Sequence, residues 1–110
     1  MFDLKGQVIV ITGGETGIGL ATVEHLAAAG AQVIMGGILE DKGTAAAAEI
    51  SAKGGKVDFI HTDVRDLAQV ERLVNGSVEK YGKIDGLICN AGIFDGFAGA
   101  LETTDHLWEQ

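Results

Sequence analysis

The sequence contains no proline, a single cysteine and few aromatic residues, and its 16 acidic side chains outnumber its 8 basic ones. One cysteine excludes an internal disulfide framework and fits a reducing compartment, so we expect a cytoplasmic protein. The formal net charge of −8 argues against nucleic acid or an anionic membrane as a partner. No stretch approaches the roughly 20 apolar residues of a membrane-spanning helix. The composition therefore indicates a soluble globular domain.

Short runs rich in Val and Ile alternate with segments of helical spacing along the 110 residues. This alternation predicts βαβ units and a parallel sheet, that is, a doubly wound α/β fold of the Rossmann type. Right-handed crossovers give the strand order 3-2-1-4, with the first two helices on one face and the third on the other. The predicted strands are Gln7–Thr12, Gln32–Gly36, Val57–His61 and Ile84–Cys89, and the predicted helices are Gly17–Ala29, Leu39–Lys53 and Asp66–Tyr81.

Residues typical of helix ends support these boundaries. Asp66 is the predicted N-cap of the third helix. Glycine is favoured just after a helix, and Gly30, Gly54 and Gly82 follow the three helical segments. Each predicted helix therefore has its own C-terminal stop.

Three glycines lie between the first strand and the first helix, with the spacing G-x-x-x-G-x-G after Thr12. Such a turn is typical of a dinucleotide-binding site. Gly13 allows a tight exit from the strand, Gly17 removes a side chain where the backbone approaches a pyrophosphate, and Gly19 lets the helix lie close to the sheet. The free N–H groups of the helix start would bind the phosphates. An ordinary βα loop is the alternative, because the 17 glycines of this chain make chance triplets common.

A second motif, Asn90-Ala91-Gly92, directly follows the fourth predicted strand. The strand order reverses between strands 1 and 4, and ligands of such sheets bind at that point, beyond the carboxyl ends of the strands. The glycine-rich turn and Asn90-Ala91-Gly92 therefore meet at one crevice. Asn90 also has a simpler interpretation as a turn residue.

The glycine spacing after Thr12, together with Cys89-Asn90-Ala91-Gly92, resembles the short-chain dehydrogenase/reductase family from about Lys5 to the end of the chain. The resemblance implies an oxidoreductase that transfers hydride between a nicotinamide dinucleotide and a small alcohol or carbonyl substrate. Cys89 stands where the family often has a first Asn, and we interpret it as a small buried strand residue rather than a reactive thiol. The predicted cofactor-binding residues are Gly13, Glu15, Thr16, Gly17, Ile18, Gly19, Gly37, Asp63, Val64, Asn90, Ala91 and Gly92.

Asp63 and Val64 follow the third predicted strand. By resemblance, the Asp carboxylate accepts a hydrogen bond from the adenine amino group, and the backbone of the next residue adds a contact. A carboxylate is a good acceptor for an exocyclic amine. An Asx-type turn is the structural alternative, because Asp is common after strands.

The end of the second strand selects between NAD and NADP in this kind of site. By resemblance, Gly37 occupies the position where NAD-preferring relatives carry Asp, and Ile38 that where NADP-preferring relatives often carry Arg. Glu15 would repel a 2′-phosphate if it pointed that way. We therefore expect NAD as the cofactor, because these positions offer no cationic side chain for the 2′-phosphate of NADP. NADP is not excluded.

No catalytic residue and no metal site are predicted. The family's catalytic Tyr-x-x-x-Lys spacing does not occur here, and Tyr81 is interpreted as an anchor at the end of the third helix. The three histidines, His25, His61 and His106, do not cluster and are expected at the surface.

By resemblance, residues 1–110 form the NAD(P)-binding half-domain, truncated after the start of a fourth helix, Thr103–Gln110. The fourth strand would be an exposed edge, and exposed edges and apolar patches favour association, so a homo-oligomer is expected. A non-catalytic dinucleotide-binding or scaffolding module is the alternative, and a sugar-nucleotide epimerase is a weaker one.

Overall fold

A computed structural model describes residues 3–13 and 17–89 of the chain. Strands and helices alternate throughout these residues, as predicted. The strands are β1 (Val8–Thr12), β2 (Gln32–Gly37), β3 (Lys56–His61) and β4 (Gly86–Cys89), and the helices are α1 (Gly17–Ala28), α2 (Glu40–Ala52) and α3 (Leu67–Tyr81). The predicted fourth helix lies outside the described residues.

The strands form one parallel sheet in the order β3-β2-β1-β4, which confirms the predicted topology. Thr12, the last residue of β1, is opposite Gly36 of β2 on one side and Cys89 of β4 on the other. The order therefore reverses at β1, and the carboxyl ends of β1 and β4 border the ligand crevice expected of this topology.

Side chains of alternate strand residues point to opposite faces and build two separate cores. Ile9 and Ile11 of β1 pack under α1 and α2, together with Val23, Ala27 and other apolar residues. On the other face, Val8, Val10 and Ile34 pack against Leu73 of α3. The predicted distribution of helices over the two faces is confirmed, and β1 is buried along its whole length.

The boundaries of the elements differ from the predicted ones by one or two residues. β2 extends to Gly37, because the carbonyl of that residue accepts the Thr62 amide of the next strand segment at 2.8 Å. β4 begins at Gly86 rather than Ile84, because the preceding Asp85 donates its amide to Val8 and accepts the Val8 amide on its carboxylate. Pairing with a neighbouring strand therefore decides where each strand starts and stops.

The predicted ends of α3 are confirmed. Asp66 caps its start and accepts the Ala68 amide on its carboxylate at 3.0 Å. Gly82 ends it with φ +82°, a conformation that glycine adopts without strain, and donates its amide to the Val78 carbonyl.

His25 and His61 are both exposed, as predicted for surface histidines, and His106 lies outside the described residues. Within residues 3–13 and 17–89, no three His, Cys, Asp or Glu side chains are placed to hold a metal ion. The same part of the chain has no helix that is long and apolar enough to cross a membrane.

Candidate cofactor-binding site

The glycine-rich turn leaves β1 at the carboxyl edge of the sheet. Gly13 has φ +72° and donates its amide to the Gly36 carbonyl at 2.7 Å. This bond continues the β1–β2 ladder by one residue beyond Thr12. The predicted role of Gly13 as the exit from the strand agrees with this geometry.

Gly17 begins α1 with φ +58°, and a Cβ atom built on it would meet no heavy atom within 4 Å. The glycine is therefore required by its backbone conformation, while the space beside it is open. The first turn of α1 carries no acidic side chain, so nothing in it opposes the positive end of the helix dipole. The next residue, Ile18, is 79% exposed. A helix start of this kind favours anionic groups.

Gly19 is buried in the first turn of α1, on the side of the helix that carries Val23 and Ala27. Both of these residues belong to the core between α1 and the sheet. Gly19 thus lies on the face of α1 that packs on the sheet, and its role in a close helix–sheet approach stays a prediction.

Thr12 ends β1 with a buried hydroxyl group. The residue is 1% exposed, and its Oγ1 atom has no hydrogen-bond partner among the described residues. A buried hydroxyl without a partner costs on the order of 1–3 kcal/mol. At the base of the crevice, beside the half-buried Cys89, the described residues therefore leave the Thr12 hydroxyl group without a polar partner.

The two glycines that end β2 serve different purposes. A Cβ on Gly36 would lie 2.6 Å from Cδ2 of Leu73 and 3.2 Å from the Thr62 hydroxyl, so packing under α3 explains this glycine. Gly37 is buried and is followed by Ile38 and Leu39, which are 54% and 42% exposed. The end of β2 thus presents backbone and apolar side chains to a ligand.

The loop after β3 is organised around Asp63. Its Oδ1 atom accepts the Arg65 amide and the Arg65 Nε at 3.0 Å each, and its Oδ2 atom accepts Arg65 Nη2 at 2.9 Å. The first of these bonds forms the Asx turn that was the structural alternative for this residue. The hydrogen bond from the Arg65 guanidinium lowers the pKa of Asp63 from 3.8 to about 2.

The Arg65 guanidinium is a feature that the sequence reasoning missed. Its side chain is 70% exposed, whereas that of Asp63 is 26% exposed, so the arginine covers the carboxylate from the solvent side. An acid followed two residues later by an arginine, just after a strand, was the available signal. The Asp63 amide is also held, by Gln69 Oε1 at 2.8 Å, and the half-buried Val64 lies between the two charged residues.

Tyr81 lies at the end of α3, away from the crevice, and acts as the predicted anchor. Its hydroxyl group donates to the Asp58 carboxylate of β3, and Lys80 Nζ binds the same oxygen at 3.0 Å. Burial raises the pKa of Tyr81, and the hydrogen bond to Asp58 raises it further. Since α3 ends where the chain approaches the amino end of β4, Tyr81 lies toward the opposite edge of the sheet from Gly17.

Several predicted site residues cannot be placed. Glu15, Thr16, Asn90, Ala91 and Gly92 lie outside the described residues, so their roles stay predictions. Those that are placed come from the carboxyl ends of three strands and from the start of α1. They are Gly13, Gly17, Ile18, Gly19, Gly37, Asp63 and Val64.

Known proteins of one family are similar to this chain in sequence. The profile of the short chain dehydrogenase family matches residues 7–110. The chain belongs to the short-chain dehydrogenase family. Among curated relatives of this short-chain dehydrogenase, 3beta-hydroxysteroid dehydrogenase 2 of Eggerthella lenta is 36% identical over 107 residues, which are 97% of this chain and 41% of that protein. Tropinone reductase-like 2 of Erythroxylum coca is 43% identical over 93 residues, 84% of this chain and 33% of that protein.

Solved structures agree with this assignment. A short-chain type dehydrogenase/reductase from Mycobacterium marinum superposes with a TM-score of 0.78 at 39% identity, covering 86% of this chain and 38% of that one. A hydroxysteroid dehydrogenase from Escherichia coli gives 0.79 at 33% identity, covering 84% and 40%. The chain therefore spans less than half the length of these relatives.

Proposed function

We propose that residues 1–110 form the cofactor-binding half-domain of a short-chain dehydrogenase, which transfers hydride between a nicotinamide dinucleotide and a small alcohol or carbonyl substrate. The observation that carries the proposal is the open start of α1 at Gly17, placed where the strand order reverses. The names of the relatives, which are dehydrogenases and reductases, support the reaction class. They do not favour a non-catalytic module.

In this proposal the chain binds and orients the dinucleotide, and the nicotinamide supplies the hydride chemistry when it is bound. The N–H groups at the start of α1 receive the pyrophosphate. Gly37 and the loop at Asp63 border the adenosine, and Asn90, Ala91 and Gly92 complete the pocket beyond β4. No described residue is proposed as an acid or base in the reaction.

The test is the substitution of Gly17 by Val in the full-length protein. We expect Gly17→Val to abolish NADH binding, because the new side chain fills the open space beside the start of α1. Gly54→Val is the matched control. Gly54 also has positive φ, at +94°, with open space around its Cβ position, but it follows α2 at the opposite edge of the sheet. Titration calorimetry with NADH, together with thermal unfolding of both variants, separates loss of the site from backbone strain.

An NADH affinity of folded Gly17→Val equal to that of the wild type would contradict the proposed site. Loss of binding in both variants would mean that the strained backbone, and not the phosphate position, is responsible. Only loss at Gly17 with binding retained at Gly54 supports the proposal.

We also propose weak discrimination between the two dinucleotides, in favour of NAD. Ile38 is 54% exposed directly after β2, so a longer cation can be accommodated there. Ile38→Arg should tighten NADP binding by about tenfold, the value of one favourable contact of about 1.4 kcal/mol. A wild-type protein that already bound NADP tenfold more tightly than NAD would contradict the proposed preference.

Finally, we propose that the protein is a homo-oligomer. All five residues of β1 are buried, whereas all four residues of β4 are only half-buried. Within the described part of the chain, β4 is an edge of the sheet, and apolar edges favour association. Sedimentation equilibrium of the full-length protein tests this, and a monomer at micromolar concentration would refute it.

A further inference from the structure

Among the described residues, the row at the carboxyl edge of the sheet contains a single side chain on the α1 and α2 face. Gly37 of β2 is directly opposite His61 of β3. The bond from the Gly13 amide to the Gly36 carbonyl places Gly13 beside Gly37 on the other side. Since Gly13 and Gly37 have no side chains, the imidazole of His61 is the first group that a ligand lying over these glycines meets in this row.

The face on which His61 lies follows from the strand alternation. Val57 and Phe59 pack into the core under α1 and α2, so His61, two residues further, lies on the same face. A Cβ on Gly43 of α2 would overlap the Phe59 ring. Since α2 starts at the carboxyl edge, its first turn lies next to His61. The imidazole is exposed at the strand end.

The charged groups around His61 come from two elements. The loop after β3 contributes Asp63, whose charge interacts with His61, and Arg65, which is bound to Asp63. The first turn of α2 contributes Glu40 and Asp41. The two elements that border the imidazole thus contribute three carboxylates and one paired guanidinium.

We propose that His61 is a specificity-determining residue of the dinucleotide site, and that its protonated ring binds the 2′-phosphate of NADP. This inference rests on the proposed function. The sequence from Gly37 to Leu39 offers neither a carboxylate for the ribose hydroxyls nor a cation for a phosphate. Histidine is the side chain that changes its charge between pH 5 and 8, so the NADP preference depends on pH. At higher pH the imidazole is neutral and the preference for NAD remains. At lower pH the imidazole is a cation and favours NADP.

The experiment measures Kd for NADP and for NAD by titration calorimetry with the full-length protein between pH 8 and pH 6. We expect the NADP affinity relative to that for NAD to rise by about fivefold over this range, as for one exposed charge pair of about 1 kcal/mol. In His61→Gln, which keeps a neutral donor, the relative affinity should not rise as the pH falls, because only the 2′-phosphate itself still titrates, with a second pKa of about 6. In His61→Arg, NADP should be favoured at every pH. His25→Gln is the matched control, since His25 is an exposed histidine in the last turn of α1, and it should behave as the wild type.

A second measurement reports on the imidazole itself. Proton NMR of the His61 ring, titrated with 2′,5′-ADP or with 5′-AMP, should show a shift of the protonation midpoint to higher pH with 2′,5′-ADP only. A rise in relative NADP affinity that persists in His61→Gln, or an imidazole that does not respond to 2′,5′-ADP, would overturn the inference while dinucleotide binding itself stands. If the wild type binds neither dinucleotide, the proposed function and this inference both fail.

Discussion

At the scale of single residues, the pairing of Arg65 with Asp63 makes a prediction about ionisation. Replacing Arg65 by Met removes the side-chain hydrogen bonds that lower the Asp63 pKa to about 2. We expect that pKa to rise toward 3.8, and the remaining bond from the Arg65 amide to keep it somewhat lower. A pH titration followed by carboxyl carbon NMR measures it. Arg72→Met, which removes an exposed arginine of α3, is the control and should leave it unchanged.

The sign of the effect on stability follows from the direction of the shift. A carboxyl group with a lower pKa in the folded state stabilises the fold fully above pH 3.8, and this contribution is lost as the pH falls toward 2. The difference in unfolding free energy between the wild type and Arg65→Met should therefore shrink over this window. A difference that is constant between pH 6 and pH 2 would show that the pair does not act through ionisation.

The sequence predicts the parts of the candidate site at which the backbone requires glycine. It does not predict which side chains of the site bind one another. The positive φ of Gly13 and Gly17 could be expected, because a tight turn between a strand and a helix needs glycine. The spacing of Asp63 and Arg65 was a signal for their pairing but did not decide it, because Asp66 is also a possible partner of Arg65 until the turn is known. The unpartnered hydroxyl of Thr12 was invisible, since it depends on what surrounds it in three dimensions.

At the scale of elements, two helical glycines should respond in opposite ways to substitution by Ala. A Cβ on Gly43 of α2 would overlap the Phe59 ring, whereas one on Gly76 of α3 would meet no atom within 4 Å. Both substitutions gain up to about 1 kcal/mol of helix propensity, but overpacking costs about 1–3 kcal/mol. We expect Gly43→Ala to lower the free energy of unfolding by about 1 kcal/mol and Gly76→Ala to raise it by about 0.5–1 kcal/mol.

Urea unfolding of the two variants beside the wild type measures both changes, and each variant is the control for the other. Stabilisation by Gly43→Ala would mean that the Phe59 ring moves aside at little cost. Destabilisation by Gly76→Ala would mean that this open position is occupied in the folded protein.

The types and order of the elements could be read from periodicity, while their exact ends could not. Buried parallel strands are continuous apolar runs, which is why β1 was recognisable from its Val and Ile residues alone. The last residue of β2 depends on a hydrogen bond from Thr62, about 25 residues along the chain in the next unit. α3 was the easiest helix to delimit, because Asp66 and Gly82 mark its two ends.

At the scale of the whole molecule, the two edges of the sheet carry different groups. The carboxyl edge combines glycines, the open start of α1 and the paired loop at Asp63. At the end of α3, the side chains of Tyr81 and Lys80 both bind the Asp58 carboxylate, so the three side chains already have partners. The groups of the candidate binding site and Tyr81, the only tyrosine of the sequence, thus lie apart. This separation limits the reactions in which Tyr81 can take part.

We therefore predict that the 110-residue chain alone catalyses no hydride transfer. Reduction of a carbonyl needs a proton donor beside the nicotinamide, whereas the Tyr81 hydroxyl donates a hydrogen bond to the Asp58 carboxylate, away from the start of α1. The purified chain, incubated with NAD and a panel of secondary alcohols, should show no NADH formation above background. Tyr81→Phe in the full-length protein should lower the free energy of unfolding by about 0.5–1.5 kcal/mol, the value of one hydrogen bond, and leave kcat unchanged. Turnover by the short chain that Tyr81→Phe abolished would instead identify Tyr81 as a catalytic acid, because loss of a structural bond alone does not remove a proton donor from the reaction.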